Sequence, residues 1–584
     1  MPDTSPSWFA RHFRLWATAY LAVVALLGLL AAYTLAVSFW RGPWRDMWEA
    51  LPFIEKALAG QATLADYWEQ YGFSHRPLLS RWFWVADMRW AAGSNLLLLA
   101  VSLAMQVVIF LTVRAVLLRD GQFTAQQRLV IYAGVLFCLG NITQVFNFLH
   151  TFDVQWFLVT GFVLLALERL LAAREHFSPW QLSVAWLCVL VASLNNFSAL
   201  VIWPVSILLI CALRFPRWQL ALYSLLTAAY LWLYFHDLPT GGDSLTVGLA
   251  ALPWQQQLQA LWAVLVVFPL WYLSNPLSFQ LATEGPLQLP WPVSWLAPLL
   301  AAVLLLFAAR HWLLGLLQRQ SFTAVAWLGL ALVLYGYGVA VVTALGRALF
   351  WDNVYALRYQ NIVLLFWIGI VLWLATVVRD RATGLFLGAA LLLVVFTVNI
   401  GWQYENILRM GNRTRDAHLA LVVGLEKHLS AIQATVSRSH LGQDSNYTLA
   451  HEAEFLRSIQ AGPYADSVWQ VPPFDSLQQA PACRELVAQL DVHGDDAEYA
   501  RLSLGFTAPV RYSLIAWFDA DLAAPSLLVA VRADTLLARL QQSVQGFTEY
   551  AGFARLLPQQ APAQLFAREG DQWCRLPISA VTAR

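Results

Sequence analysis

Long apolar runs fill the first 400 or so residues of this chain. Most are about 18–24 residues long, the length that carries an α-helix across a hydrocarbon core of roughly 30 Å. The pattern predicts spans at Trp16–Val37, Leu96–Leu118, Leu129–Leu149, Gln155–Ala173, Gln181–Leu194, Ala199–Leu213, Gln219–Phe235, Val293–Ala309, Thr323–Ala344, Asn361–Val378 and Leu385–Gly401. The sequence therefore predicts an α-helical polytopic membrane protein with about eleven spans.

Arginines near the ends of these runs predict the orientation, because short cytoplasmic loops retain Lys and Arg. Arg11 and Arg14 precede the first span, and Arg119 and Arg128 follow the second. This pattern places the N-terminus in the cytoplasm. The long loop 39–95 and the later turns at HTFDV and at Asn195-Asn196 are then extracytoplasmic.

One segment, 254–272, fits this scheme in two ways. If it spans the membrane, Arg310 and Arg319 fall outside and later loops violate the charge bias. If it is re-entrant or interfacial, those loops agree with the bias. The amphipathic start WQQQLQALW, together with Pro269 and Pro276, favours the second reading. The sequence leaves both open.

Beyond residue 401 the composition becomes polar, which predicts a soluble tail outside the membrane. Residues 402–500 predict a helical connector, with helical apolar spacing from Leu419 to Ile432 and a break at Pro472-Pro473. Residues 501–584 predict a small β-rich domain, because RYSLIAWFDADL, SLLVAVRAD and AQLFAREGDQWCRLP are short strand-like runs between turn residues. Residues 1–401 form the transmembrane domain in this scheme.

The composition agrees with a membrane protein and gives no sign of nucleic-acid binding. Of the 584 residues, 59% are hydrophobic and 12% charged, with a net charge of +1. Three of the five cysteines lie inside predicted spans. Cys483 and Cys574 lie in the tail, where an oxidising compartment would let them form a disulfide.

The first outer loop carries the densest charge. It contains five arginines (Arg41, Arg45, Arg76, Arg81 and Arg89) and six acidic residues (Asp46, Glu49, Glu55, Asp66, Glu69 and Asp87). Arginines kept outside, against the usual bias, suggest an anionic ligand such as phosphate, whose oxygens match the guanidinium fork. The alternative is that they pair with loop carboxylates and phospholipid headgroups.

Three strings in this layout resemble the GT-C class of glycosyltransferases. PWRDMW places Asp46 just after the first span, EQYGFSHRPLLSRWFWVAD resembles a His-Arg-bearing segment of bacterial members, and DNVYALRYQN resembles an Arg-Tyr segment that meets the carrier phosphate. The resemblance implies a GT-C-like fold and an inverting transfer of a sugar from a polyprenyl-phosphate carrier. The acceptor would be an extracytoplasmic glycan, lipid or protein.

The resemblance also implies a set of site residues. Asp46 is the candidate catalytic base, and its alternative role is to begin a helix. Asp153, with His150, would complete an acidic site, or Asp153 caps the fourth span. The candidates for binding the donor and its phosphate are His75, Arg76, Arg81, Arg358 and Tyr359.

Metal dependence is open. Many GT-C members carry an Asp-x-Asp motif in the first loop that binds a divalent cation such as Mg²⁺ or Mn²⁺, whereas this loop has Asp46 with Glu49 one helical turn on. The Asp519-x-Asp521 string lies in the tail and is interpreted as surface.

Other functions are a membrane transporter or flippase, a glycan polymerase or ligase of the cell envelope, and a sensor. A transporter concentrates charges and broken helices at mid-membrane, whereas most span centres here are Leu, Val, Ala and Phe. A polymerase or ligase usually has its large outer loop between later spans, and a sensor needs a cytoplasmic output module. The class resemblance favours a bacterial inner membrane.

Overall fold

The structure is a computed structural model of the chain. It describes residues 12–71, 75–175, 178–236, 253–277, 296–317, 322–347, 357–378, 388–390, 393, 397, 400–423, 450–465, 471–483, 487–494, 499–506, 514–518, 527–530, 549–555, 564–569, 571–577 and 581–583. These residues form a mostly helical protein with small C-terminal sheets.

Eight helices among the described residues are long and apolar enough to cross a membrane, as expected of a multi-pass membrane protein. They are Phe13–Ser38, Leu96–Asp120, Ala125–Leu149, Thr151–Arg174, Trp254–Leu273, Leu296–Leu314, Ala324–Leu345 and Leu357–Val377. Shorter apolar helices lie at Pro179–Ser193 and Phe197–Ala212, followed by Arg217–Phe235. Within the predicted span Leu385–Gly401, the structure describes residues 388–390, 393, 397 and 400–401.

The helix bundle has two ends, which contacts between chain segments define. At the first-loop end, Ser80 Oγ donates to Asn195 Oδ1 (2.9 Å) and Arg76 Nε donates to the Tyr234 carbonyl (3.1 Å). At the far end, Val325 N donates to Asp120 Oδ2 (3.1 Å). Trp373 Nε1 donates there to His311 Nδ1 (3.2 Å).

Close packing between two helices supports the bundle core. A Cβ added to Gly329 would lie 2.9 Å from the Gly369 carbonyl, and one added to Gly336 would lie 2.6 Å from Phe366 Cβ. Small residues let helices Ala324–Arg347 and Gln360–Val377 approach closely, which is how helices associate in lipid. This packing fixes the helix that begins just after Arg358.

The first loop folds into three helices, Asp46–Leu58, Leu64–Trp68 and Leu78–Trp90. Thr63 and Asp66 form a capping box at the start of the second. Trp48, Ile54 and Trp84 are buried where the loop packs on Phe152 and Leu158. The loop is therefore an ordered layer over one end of the bundle.

The segment 254–272 is helical, running from Trp254 to Leu273 with a π-helical turn at Ala263–Val267. No side chain of Trp254–Trp262 is buried, whereas Tyr272 is buried beside Tyr359 at the first-loop end. Helix Arg217–Phe235 also ends at the first-loop end, because the Tyr234 carbonyl accepts from Arg76.

The tail begins with one long helix, Ile400–Val422, followed by short helices at Ala450–Ser458 and Phe474–Gln478. Tyr404, Ile407 and Leu408 pack against Ala31 and the 142–149 segment, while Leu419 joins the core of the β domain. The helix thus connects the bundle and the tail.

Eight strands form two four-stranded sheets, ordered β5-β2-β1-β8 and β4-β3-β6-β7. The strands are β1 Val487–Gly494, β2 Tyr499–Phe506, β3 Leu514–Phe518, β4 Leu527–Ala530, β5 Glu549–Arg555, β6 Gln564–Glu569, β7 Gln572–Leu576 and β8 Val581–Ala583. A disulfide joins Cys574, in β7, to Cys483.

The strands start earlier than the predicted boundary at residue 501. β1 lies inside the predicted helical connector 402–500, and β2 begins at Tyr499. Leu490 and Val492 in β1, like Leu502 and Leu504 in β2, alternate with polar or small residues. This period of two is a strand signal that the nearby helical pattern obscured.

Candidate active site

Asp46 lies at the start of helix Asp46–Leu58, on a turn with an unusual backbone. Arg45, the residue before it, has φ 50° and ψ −120°, and no side chain caps the helix. A positive φ is uncommon for a residue with a side chain and persists only where the surroundings hold it. The Arg45 guanidinium lies over the Trp44 ring (5.0 Å) and the Phe146 ring (5.5 Å), which anchors this turn.

Arg358 reaches Asp46 from a distant part of the chain. Its Nη1 lies 3.9 Å from Asp46 Oδ2, and the two side chains are 28% and 19% exposed. That distance is too long for a hydrogen bond, so the pair is electrostatic. Arg358 sits on a short 3-10 turn, Leu357–Tyr359, immediately before helix Gln360–Val377.

Asp153 forms a second, fully enclosed carboxylate at the same end. Its Oδ2 lies 2.8 Å from His150 Nδ1, and the side chains are 1% and 3% exposed. With its amide nitrogen turned toward them, Asn147 reaches Asp153 Oδ2 (3.3 Å) and the Leu357 carbonyl (3.1 Å). The Asp153 turn is thereby tied to the turn that carries Arg358.

The four charged residues are close enough to act on one another. Burial lowers the pKa of the Arg45 guanidinium, the carboxylates of Asp46 and Asp153 oppose that change, and Arg358 adds to it. Two arginines and two carboxylates therefore lie near one another at this end of the bundle. We call Arg45, Asp46, Asp153 and Arg358 the charge cluster.

Tyr71 and Glu49 border the charge cluster. Tyr71 Oη donates to Glu49 Oε2 (2.6 Å) and to the Asp46 carbonyl (3.3 Å). Burial, followed by the charges of Asp46 and Glu49, raises the pKa of Tyr71 well above its usual value. The phenol therefore stays protonated and remains a donor, which holds the first turn of the Asp46 helix.

Tyr359 and His75 belong to an aromatic group beside the cluster. Tyr359 packs against Tyr272 (ring centroids 5.1 Å apart) and Trp156 (5.9 Å), and Trp156 lies 6.5 Å from His75. His75 Nδ1 accepts from the Phe197 amide (3.4 Å). Tyr359 is therefore adjacent to Arg358, while His75 fastens the first loop to the 195–197 turn.

Arg76 and Arg81 donate to backbone carbonyls of the first loop, and Arg76 also reaches helix Arg217–Phe235. Arg76 donates to the carbonyls of Trp68 (2.9 Å) and Tyr234 (3.1 Å). Arg81 Nη1 donates to the carbonyls of Asp66, Tyr67 and Glu69, at 2.6–3.0 Å. Both are buried. Both arginines therefore help to close the loop, and the phosphate-binding role predicted for them stays a prediction.

The described residues contain no group of three or more His, Cys, Asp or Glu side chains that could hold a metal ion. In the charge cluster, Asp46 faces Arg358 and Asp153 faces His150. Asp352 and the Asp519-x-Asp521 string lie outside the described residues.

Sequence reasoning weighed Asp46, Asp153, His150 and Arg358 one by one and missed Tyr71. Nothing in the sequence around Tyr71 signals its role, because its partner Glu49 lies 22 residues earlier in the chain. Arg45 was part of the loop's arginine group. Its position directly before Asp46 was the available signal.

No family model, curated protein or solved structure matches this chain. The function therefore has to be argued from the charge cluster.

Proposed function

We propose that this protein is a GT-C-type glycosyltransferase that moves a sugar from a polyprenyl-phosphate carrier to an acceptor on the extracytoplasmic side. The observation that carries the proposal is the approach of Arg358 to Asp46, 3.9 Å apart, beside Asp153 and Arg45. A partly exposed base next to a partly exposed cation is the pair that this transfer requires.

In the proposed reaction, Asp46 takes the proton of the acceptor hydroxyl. The acceptor oxygen then forms a bond to the anomeric carbon of the sugar, and the bond from that carbon to the carrier phosphate oxygen breaks. The electron pair leaves with the polyprenyl phosphate, whose added negative charge Arg358 and Arg45 stabilise. Attack opposite the leaving group inverts the anomeric centre.

Asp153 and Tyr359 have supporting roles in this proposal. Asp153, held by His150, balances the positive charge of the two arginines and keeps their side chains in place. Tyr359 continues from Arg358 into the aromatic group with Tyr272 and Trp156, which offers an apolar wall beside the phosphate. Arg76, Arg81 and His75 hold the loop that carries Asp46.

The distribution of arginines supports an extracytoplasmic site. Described arginines near helix ends at the far end of the bundle are Arg14, Arg119, Arg128, Arg174, Arg214, Arg217 and Arg310. Short loops with Lys and Arg stay in the cytoplasm. The far end is then cytoplasmic, and the charge cluster, first loop and tail lie outside.

Span counting supports the same topology. Helices Arg217–Phe235 and Trp254–Leu273 both end at the first-loop end, so the second is best treated as a non-crossing, interfacial helix. Removing it from the eight candidates and adding Pro179–Ser193, Phe197–Ala212 and Arg217–Phe235 leaves ten spans. The predicted Leu385–Gly401 would be the eleventh.

The test supplies purified protein with a radiolabelled polyprenyl-phosphate sugar and an extract containing acceptors. We expect label to move to an acceptor, and Asp46→Ala to lose that transfer. Full transfer by Asp46→Ala would remove Asp46 as the base. No transfer with any donor, combined with movement of the labelled lipid across vesicles, would favour a flippase.

A reporter fused after Arg584 tests the orientation separately. The proposal expects activity from a reporter that works outside the cytoplasm. Activity only from a cytoplasmic reporter would contradict the extracytoplasmic site.

A further inference from the structure

The segment Gly42–Arg45, which leads into Asp46, is held by contacts from other parts of the chain. The Gly42 carbonyl accepts from Asn95 Nδ2, and the Pro43 carbonyl lies 2.6 Å from His418 Nε2. Proline has no N–H, so this carbonyl is the only backbone group of Pro43 that can form a hydrogen bond. His418 belongs to the tail helix Ile400–Val422.

His418 is fully buried between two tryptophans of the first loop region. Its ring lies 5.9 Å from Trp40, nearly parallel to it, and 6.2 Å from Trp48. Burial lowers the pKa of His418 to about 4, so the ring is neutral near pH 7. Because a carbonyl can only accept, the neutral ring carries its hydrogen on Nε2 and donates to Pro43.

A second part of the tail touches the first loop near both of its ends. Pro463 packs so closely on Gly42 that a Cβ there would lie 2.9 Å from Pro463 Cδ. Gly462 N donates to the Ala92 carbonyl (2.8 Å). The tail therefore contacts the loop just before the Asp46 helix and again just before helix Leu96–Asp120.

Trp44 and Arg45 lie between these contacts and Asp46, and the φ of 50° at Arg45 requires support from its surroundings. We infer that the C-terminal tail positions Asp46, with His418 as a positioning residue that acts through Pro43. The tail is thus part of the site's architecture. The inference that the tail holds the segment before Asp46 does not depend on the proposed function. The inference that this contact affects catalysis rests on the proposed function.

The tail offers a matched control, because a second histidine also contacts the first loop. His451 Nε2 lies 3.1 Å from Glu55 Oε2, but the side chains are 72% and 40% exposed. An exposed pair of this kind contributes little to stability. Replacing His451 should therefore leave the Gly42–Asp46 segment unchanged, whereas replacing His418 should not.

Hydrogen exchange on the full chain in lipid nanodiscs tests the conformational part. The reporters are the amides of Met47 and Trp48, which donate to Trp44 O (3.2 Å) and Arg45 O (3.0 Å). His418→Ala should speed their exchange about tenfold, the effect of losing one buried hydrogen bond. His418→Gln, which keeps a donor, should restore slow exchange, and His451→Ala should match the wild type.

Unchanged exchange in His418→Ala, or equal acceleration in His451→Ala, would overturn the inference. If His418→Ala does not fold, Pro463→Ala removes the ring that packs on Gly42, and the same expectations apply to it. The contact of His418 with Pro43 and the contact of Pro463 with Gly42 thus give two independent tests of the inference.

Sugar transfer measured on the same variants tests the catalytic part. His418→Ala should lower kcat about tenfold or more while the KM for the donor changes little, since small displacements of reacting groups cost rate. Faster amide exchange in His418→Ala with an unchanged kcat would overturn the claim that His418 positions Asp46 for catalysis. If the wild type transfers no sugar and His418→Ala still exchanges faster, the proposed function is contradicted. The inference that the tail holds the segment before Asp46 is then still supported.

Discussion

Two short segments of the first loop carry arginines, and the structure uses them differently. In His75–Arg81, the donors of Arg76 and Arg81 reach backbone carbonyls at 2.6–3.1 Å. In Trp44–Asp46, Arg45 lies over aromatic rings, and Asp46 faces Arg358 at 3.9 Å. Arg76 and Arg81 therefore hold the loop through backbone carbonyls, whereas Arg358 meets a carboxylate.

Removal of the Arg358 side chain should have the largest effect on the proposed transfer. We expect Arg358→Ala to slow the proposed transfer by about 10²–10³-fold, the usual effect of deleting one group that stabilises developing charge. Its melting temperature should stay close to that of the wild type, because the side chain is partly exposed and its contacts are a 3.9 Å approach to Asp46 and a position over the Tyr359 ring. Equal transfer rates in a steady-state assay would contradict the role.

Arg81 should show the opposite pattern. Arg81→Ala leaves the carbonyls of Asp66, Tyr67 and Glu69 without their donor and should lower the free energy of unfolding by about 2 kcal/mol. Thermal melting in detergent would measure this loss. Arg89→Ala, an exposed residue of the same helix, is the control and should melt like the wild type. Wild-type stability in Arg81→Ala would return that residue to the candidates for phosphate binding.

The contact of His418 with Pro43 should weaken at low pH. The pKa of His418 is lowered by burial from 6.5 to about 4, so the folded protein binds this proton less readily than the unfolded chain. The stability contributed by the neutral ring is present above pH 6.5 and is lost as the pH falls toward about 4. The loss is on the order of 3 kcal/mol. In His418→Gln, the melting temperature should change less with pH over this range than it does in the wild type. An equal change in both proteins would contradict the assignment of this pH dependence to His418.

The disulfide should affect the charge cluster least. Replacing Cys483 and Cys574 with serine opens a link between residues 91 positions apart and should destabilise the β domain by about 2–4 kcal/mol. The disulfide anchors β7, and neither cysteine takes part in the contacts of His418 and Pro463 with the loop. Sugar transfer below the melting transition should therefore stay within about twofold of the wild type. A larger loss would show that the β domain itself shapes the site.

Apolar run length was enough to predict where most spans lie, because a membrane requires helices of nearly fixed length. The strand-like runs around Leu514, Leu527 and Leu565 likewise contain strands, since their apolar residues stand between turn residues. β1 and β2 were missed because they follow a helical region broken by prolines, and their alternation was not weighed.

The charge cluster could be predicted only in part. The sequence marked Asp46, Asp153 and Arg358 as candidates, but it could not show that Arg358 meets Asp46. It treated Arg76 and Arg81 like Arg358, because residue type does not reveal which carbonyls lie around a guanidinium. The role of His418 could not be predicted for the same reason, because its burial depends on Trp40 and Pro43, which are distant along the chain.

The most direct test of the central claim is a double-mutant cycle on Asp46 and Arg358, read as the rate of sugar transfer. If the two residues act together on one reaction, Asp46→Asn and Arg358→Ala should each cost about 10²–10³-fold. The double variant should then lose little more than the worse single variant. Losses that multiply, or two single variants with the wild-type rate, would contradict the claim that this pair forms the active site.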